Sequence, residues 1–253
     1  MDIRFSSVML LSVLLLATRM APVFLFAPPI SSLPWPSGVR MFTILALAVA
    51  MLGLMPEAGT QWIEGPGPFH LLGLFLIEAV SGSLIAFGAL SAFSAISLAG
   101  RLLDLQIGFG VANLFDPVTK RQGPLLGAAL AMLAGAVFFA MDGHLLLFRL
   151  IADSLSTYPP GRAVFGTEVA SWVLRQFAYM FFSGVALAFP VMLVLSLVDI
   201  GLALASKSIP QLGVFFLSLP IKAALGLVSL ALLLILNPGA LTRVIWQWFS
   251  VHE

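Results

Sequence analysis

The sequence predicts an all-α, membrane-associated protein of about six apolar helical segments, and two observations carry that prediction. Of its 253 residues, 60% are hydrophobic and only 9% charged, against roughly 25% charged in an ordinary soluble domain. Too little polar side chain is present to coat a globule of this size, so apolar surface must face lipid or other subunits. In addition, proline- and glycine-rich stretches cut the chain into runs, several near the roughly 20 residues that a helix needs to cross a bilayer.

Segment one covers about 8–28. Arg4 followed by VMLLSVLLLA resembles the start of a signal peptide. The apolar run resumes after Arg19 as MAPVFLFA without a small-x-small cleavage site, so a retained segment is expected. APPISSLPWPSG cannot be helix throughout. Segment two follows at about 39–55, then an acidic loop, 56–68, with Glu57 and Glu64. Segment three, 69–100, is too long for one untilted span. Segment four is about 125–141, segment five 172–198 and segment six 212–236. Between four and five, 142–171 is more polar, with DGH, room for a short helix, and the breaker YPPG from Tyr158 to Gly161. Nothing resembles a domain linker, so 1–253 is expected to be a single domain.

Several function classes fall away. A net charge of +1 gives no footprint for nucleic acid. With no cysteine there is no thiolate or disulfide chemistry. His70, His144 and His252 are scattered without metal-ligand spacing. No nucleophile, base and ligand cluster together, so neither catalytic residues nor a cofactor is expected. A proton-coupled transporter using Glu78 and Asp199 would need an internal repeat, and segments three and five are not alike.

Arg19, Glu78, Asp199 and Lys222 lie within or beside apolar sequence. Charges at bilayer depth are expensive and face protein or water, so much of the apolar surface is expected to meet other subunits rather than lipid. The positive-inside bias weakly places 56–68 outside and 100–123 inside. Glu78 has no second acid nearby on its helix, which favours a buried pair with an arginine or lysine over a proton relay. His144 reads as structural or interfacial. Gly88, Ala92, Ile96 and Gly100 recur at four-residue spacing beside Ser91, Ala95 and Ala99. Such a stripe lets backbones approach closely, either within the chain or on a partner.

The stretch GFGVANLFDPVTKRQGP, 108–124, resists helix at both ends. Gly100 and Arg101 read as the end of segment three. Gly108 and Gly110 permit conformations other residues resist, and Asp116–Pro117 forces an extended residue or turn. Between them lie Phe109, Val111, Leu114 and Phe115. Irregular backbone at membrane depth is tolerated only where protein buries it or water adjoins it. The residues alone leave open a movable channel filler and a plain re-entrant or surface loop.

Three runs in order, GRLLDLQIGFGVANLFDPV, AMDGHLLLFRLIADSLSTYPPG and SKSIPQLGVFFLSLPIKAALGL, resemble the FliR/SctT family of type III secretion export-apparatus proteins. DGH resembles the flagellar members, and FFLSLPIKAAL the injectisome ones; the flagellar branch is favoured. The resemblance implies tilted or broken helical hairpins assembled with FliP/SctR-type and FliQ/SctS-type subunits into a closed pore. FlhB/SctU-type and FlhA/SctV-type proteins would associate with it, and unfolded export substrates would pass through. The location implied is the bacterial inner membrane, at the base of the flagellum or injectisome, in contact with lipid. The loop matching Gly108, Phe109, Gly110, Val111, Leu114, Phe115, Asp116 and Pro117 is then a pore plug. Gly88, Ala92, Gly100, Glu78, Asp199, Pro210, Gln211 and Lys222 become subunit or helix packing positions, and no metal is implied.

Overall fold

The structure, a computed structural model, describes residues 7–53, 67–109, 124–162, 166–208 and 214–250. Every regular element among them is helical. In order these are α1 (Ser7–Phe26), a 3-10 turn (Ile30–Ser32), α2 (Ser37–Leu52), α3 (Pro68–Ile107), α4 (Leu125–Ala140), α5 (Gly143–Thr157), α6 (Thr167–Ser208), α7 (Val214–Leu236) and α8 (Gly239–Ser250). Four of them (α1, α3, α6 and most of α7) are long and apolar enough to cross a membrane. Counting α4 and α5 as one interrupted span gives a fifth. The chain is therefore an all-α protein of membrane class.

Three boundaries differ from the sequence expectation, for related reasons. Helix α3 does not stop at Gly100 but continues to Ile107, 40 residues in all. Helix α6 covers 42 residues, beyond the expected 172–198 on both sides. Apolar windows close at charges such as Arg101 and Asp199, yet these side chains reach the surface and leave the backbone helical. Within 142–171, α5 takes 15 residues, following Asp142 in a left-handed conformation (φ 56°). Proline does not stop α1, α6 or α7, which contain Pro22, Pro190 and Pro220.

The residues group into two compact units, 1–90 with 139–173 and 91–138 with 174–253. In the first, Leu15 and Leu74 are buried with Leu11, Leu71 and Phe75 around them. The α1 and α3 backbones touch at Gly82, where a Cβ would lie 1.9 Å from the Arg19 carbonyl oxygen. The Phe24 and Phe148 rings pack 6.3 Å apart.

The second unit is organised on the small-residue face of α3. Ala92, Ala95, Ile96 and Ala99 are all buried. Gly184 of α6 sits against Ala95, where a Cβ would come within 2.7 Å of the carbonyl oxygen. Gln176 donates to the Ser91 hydroxyl across 2.9 Å in the same buried layer. Phe93 meets Phe138 edge-on at 5.6 Å. Burial differs sharply from helix to helix. Only 11% of the apolar window of α7 is buried, against 50% for α1.

Candidate functional site

The C-terminal end of α3 and the start of α4 frame the 108–124 stretch, and both belong to the second unit. Helix α3 ends on Gly108, whose φ of +91° is the left-handed cap that favours glycine. Its N–H donates to the Asp104 carbonyl across 3.1 Å. A Cβ here would also press on the Leu219 side chain at 2.9 Å. Phe109 follows, half-buried. Gly110, Val111, Leu114, Phe115, Asp116 and Pro117 lie outside the described residues.

On the far side, α4 begins at Leu125 after Pro124, which has no side-chain oxygen to cap the free N–H groups of a helix start. Asp104 supplies that cap from α3. The residue is 5% exposed, and its carboxylate accepts from the Leu126 N–H at 2.9 Å and the Gly127 N–H at 3.1 Å. The positive end of the α4 dipole offsets the buried charge. Close contact makes this reach possible. A Cβ on Gly100 would lie 2.4 Å from the Gly127 Cα and 2.6 Å from its nitrogen. Only glycine on α3 lets the α4 backbone come so near.

Two further ties hold the end of α3. Gln106 donates to the Ser196 hydroxyl at 3.1 Å. Gly226 of α7 lies against Ile107, where a Cβ would be 2.5 Å from Cδ1. Lys222 of α7 pairs with Asp199 of α6 at 2.7 Å, and the Asp199 side chain is 45% exposed. Pro210 and Gln211 lie outside the described residues.

Glu78 is placed elsewhere, in the first unit, and its partner is Arg19. The two meet through a fork, Arg19 Nε to Oε2 at 2.6 Å and an Nη to Oε1 at 3.0 Å, with both side chains essentially inaccessible. The other Nη of Arg19 donates to the Ser154 carbonyl (3.1 Å) and hydroxyl (3.3 Å) and to the Tyr158 carbonyl (3.0 Å). Glu78 accepts the Gly161 N–H at 2.6 Å, and Gly161 has φ +77°. The YPPG turn is thus fastened at both ends to one ion pair.

The ends of the 108–124 stretch and the Glu78 pair therefore fall in different units, with Gly100, Lys222 and Asp199 in the same unit as the stretch. Gly88 and Ala92 are buried on α3. His144 contacts Phe139 (5.6 Å), and its Nδ1 is buried without a hydrogen-bond partner among the described residues. Asp104 was missed from sequence, although a proline-led helix start lacking Ser, Thr, Asp or Asn signals a cap supplied from afar. Among the described residues no group of three or more His, Asp or Glu could hold a metal. The arrangement anchors helices.

Comparison with known proteins agrees with this architecture. The family model of bacterial export proteins, family 1, matches residues 10–247. The flagellar biosynthetic protein FliR of Escherichia coli (strain K12) is 26% identical over 208 residues, 82% of this chain and 78% of that protein. The FliR of Bacillus subtilis (strain 168) is 32% identical over 164 residues, 64% of this chain but only 63% of its own length. The Yop proteins translocation protein T of Yersinia pestis is 30% identical over 219 residues, 85% of this chain and 83% of that protein. An all-helical chain matched over nearly its whole length by one family model leaves no second assignment: it belongs to the bacterial export proteins, family 1, the FliR/SctT family.

Proposed function

We propose that this chain is a core subunit of the flagellar type III protein export gate, acting as one export-gate domain. With FliP- and FliQ-type subunits it forms a closed pore for unfolded export substrates, in the bacterial inner membrane at the base of the flagellum. FlhB-type and FlhA-type proteins are its neighbours there. It works as a conduit component and not as an enzyme. The observation that carries this reading is the family match over residues 10–247, with flagellar FliR proteins among the relatives. The outward apolar faces of α6 and α7 support it, since they offer helix-length surface for other subunits or lipid.

In this reading the 108–124 loop is the plug. Phe109, Leu114 and Phe115 seal by excluding water, as hydrophobic constrictions do in channels. Gly108 and Gly110 give the hinge, and Asp116–Pro117 returns the chain to α4. The Asp104 clamp supports the role: a seal must be tied at its base to close reproducibly. Replacing Phe109 and Phe115 together by alanine is expected to raise resting ion leakage of the assembled gate. Unchanged conductance in that variant would remove the plug role.

The second reading is the SctT subunit of a virulence injectisome. It is favoured by the 85% coverage of this chain in the Yersinia pestis alignment. Purification of the tagged chain from its host in mild detergent, followed by mass spectrometry, decides between them. Recovery of FliP- and FliQ-type proteins gives the flagellar reading and SctR- and SctS-type proteins the injectisome one. A chain recovered alone as a stable monomer or homodimer overturns both.

A further inference from the structure

In the first unit α5 packs antiparallel on α1. Phe148 meets Phe24 near the end of α1, and further along α5 the Ser154 carbonyl and hydroxyl accept from Arg19. The Tyr158 carbonyl accepts from the same guanidinium. Helix α1 carries an apolar window of membrane length, Met9–Phe26, and Arg19 lies inside it. At 1.5 Å per residue, Arg19 sits about 10 Å in from the Phe26 end. Residues 154–158 are held to that level. One face of α5 is closed by protein, since Gly143, Leu147, Ile151 and Leu155 are buried. The opposite face is exposed and polar, with Arg149, Asp153, Ser156 and Thr157 following one another at helical spacing. Asp153, Ser156 and Thr157 therefore open outward at the depth of Arg19.

We infer that this face of α5 lines a water-filled passage through the membrane. A carboxylate at that depth does not face hydrocarbon, and aspartate is too short to carry its charge to the headgroups as lysine and arginine do. The stripe meets either water or another protein, and two features select water. Interface cores are depleted of charge, and this chain exposes apolar faces for subunit contact on α6 and α7. The stripe also joins a cation, an anion and two hydroxyls, not one sign of charge. Such a wall holds no charged segment tightly, as a conduit requires. What passes, an unfolded polypeptide, rests on the export reading; the passage itself follows from α1 and α5.

The chain has no cysteine, so a single introduced cysteine reports its own surroundings. Asp153→Cys and Ser156→Cys are placed in the full chain in its host membrane and treated, from each side in turn, with a charged, membrane-impermeant methanethiosulfonate reagent. Leu232→Cys, on the exposed apolar face of α7, is the control. The thiolate is the reacting form and apolar surroundings suppress it, so both α5 cysteines are expected to react at least about tenfold faster than the control. A substrate stalled in transit by a fused domain that resists unfolding should slow both and leave the control unchanged. Melting temperature and co-purifying subunits establish that each variant is folded and assembled, and Ser156→Cys, the smaller change, carries the test if Asp153→Cys does not fold. Labelling as slow as the control overturns the inference. So does rapid labelling of the purified chain with none in the assembled complex, which would assign the stripe to a subunit contact. Fast labelling that a stalled substrate leaves unchanged overturns its place on the export path. Recovery of the chain without other subunits defeats the export reading instead, and fast labelling would then still support the passage.

Discussion

Asp104 caps a helix it does not belong to: its carboxylate takes the N–H of Leu126, 22 residues further along the chain. The two stems of the 108–124 stretch are thereby held together at a buried point. Replacing Asp104 by alanine strands two N–H groups at the α4 start, at a cost of about 2 kcal/mol. Asparagine keeps one acceptor oxygen and should recover part of the loss. Thermal unfolding in detergent measures both, and equal stability of Asp104→Ala and the unaltered chain would show that the cap contributes nothing.

Glu78 and Arg19 offer a different contrast. Removing one partner of a buried pair leaves an uncompensated charge, worth about 3–5 kcal/mol. Glu78→Leu is therefore expected to reduce the folded yield sharply. Combining it with Arg19→Met should restore much of that yield, though not all, because the Ser154 and Tyr158 carbonyls and the Gly161 N–H lose their partners. A double variant no better than Glu78→Leu would mean that the charge itself has a function beyond holding the turn.

Glycine positions split by what surrounds them. Gly73 has open space where a Cβ would go, so Gly73→Ala should stabilise the helix, by up to about 1 kcal/mol. Gly100→Ala must drive α3 and α4 apart and should cost roughly 1–3 kcal/mol, with loss of the Asp104 cap. Unfolding midpoints of the two variants are expected to move in opposite directions.

In the Lys222–Asp199 pair the Asp199 side chain is 45% exposed and the Lys222 side chain 17%, and pairs open to water on one side contribute only about 0–1 kcal/mol. Lys222→Met should leave the unfolding midpoint of the isolated chain nearly unchanged. If secretion by cells carrying it falls all the same, Lys222 meets another subunit in the assembly. If secretion is also normal, the pair has no role in assembly.

Composition and breaker spacing made the helical, membrane-class architecture legible, because both follow from how much apolar surface a chain must hide. Glu78 needed a cation for the same reason. That the cation would be Arg19 was not readable, since 59 residues separate them and only the α1–α3 crossing at Gly82 brings them together. Gly100 misled for a related cause. A glycine in an apolar helix can mean an end or a crossing, and here Gly127 on a later helix decides. Gly108, the true end, shows itself through a backbone angle that composition only permits.

The outer face of α7, with Ile235 and Leu236 more than two-thirds exposed, has a thermodynamic consequence. Whatever covers it, lipid or protein, binds the folded chain and not the unfolded one, and so stabilises it by mass action. The unfolding temperature of this chain is then no fixed property but rises with the supply of its covering molecules. Cells that make it in excess of them would hold the surplus as a short-lived species, removed by proteases in proportion to the shortfall.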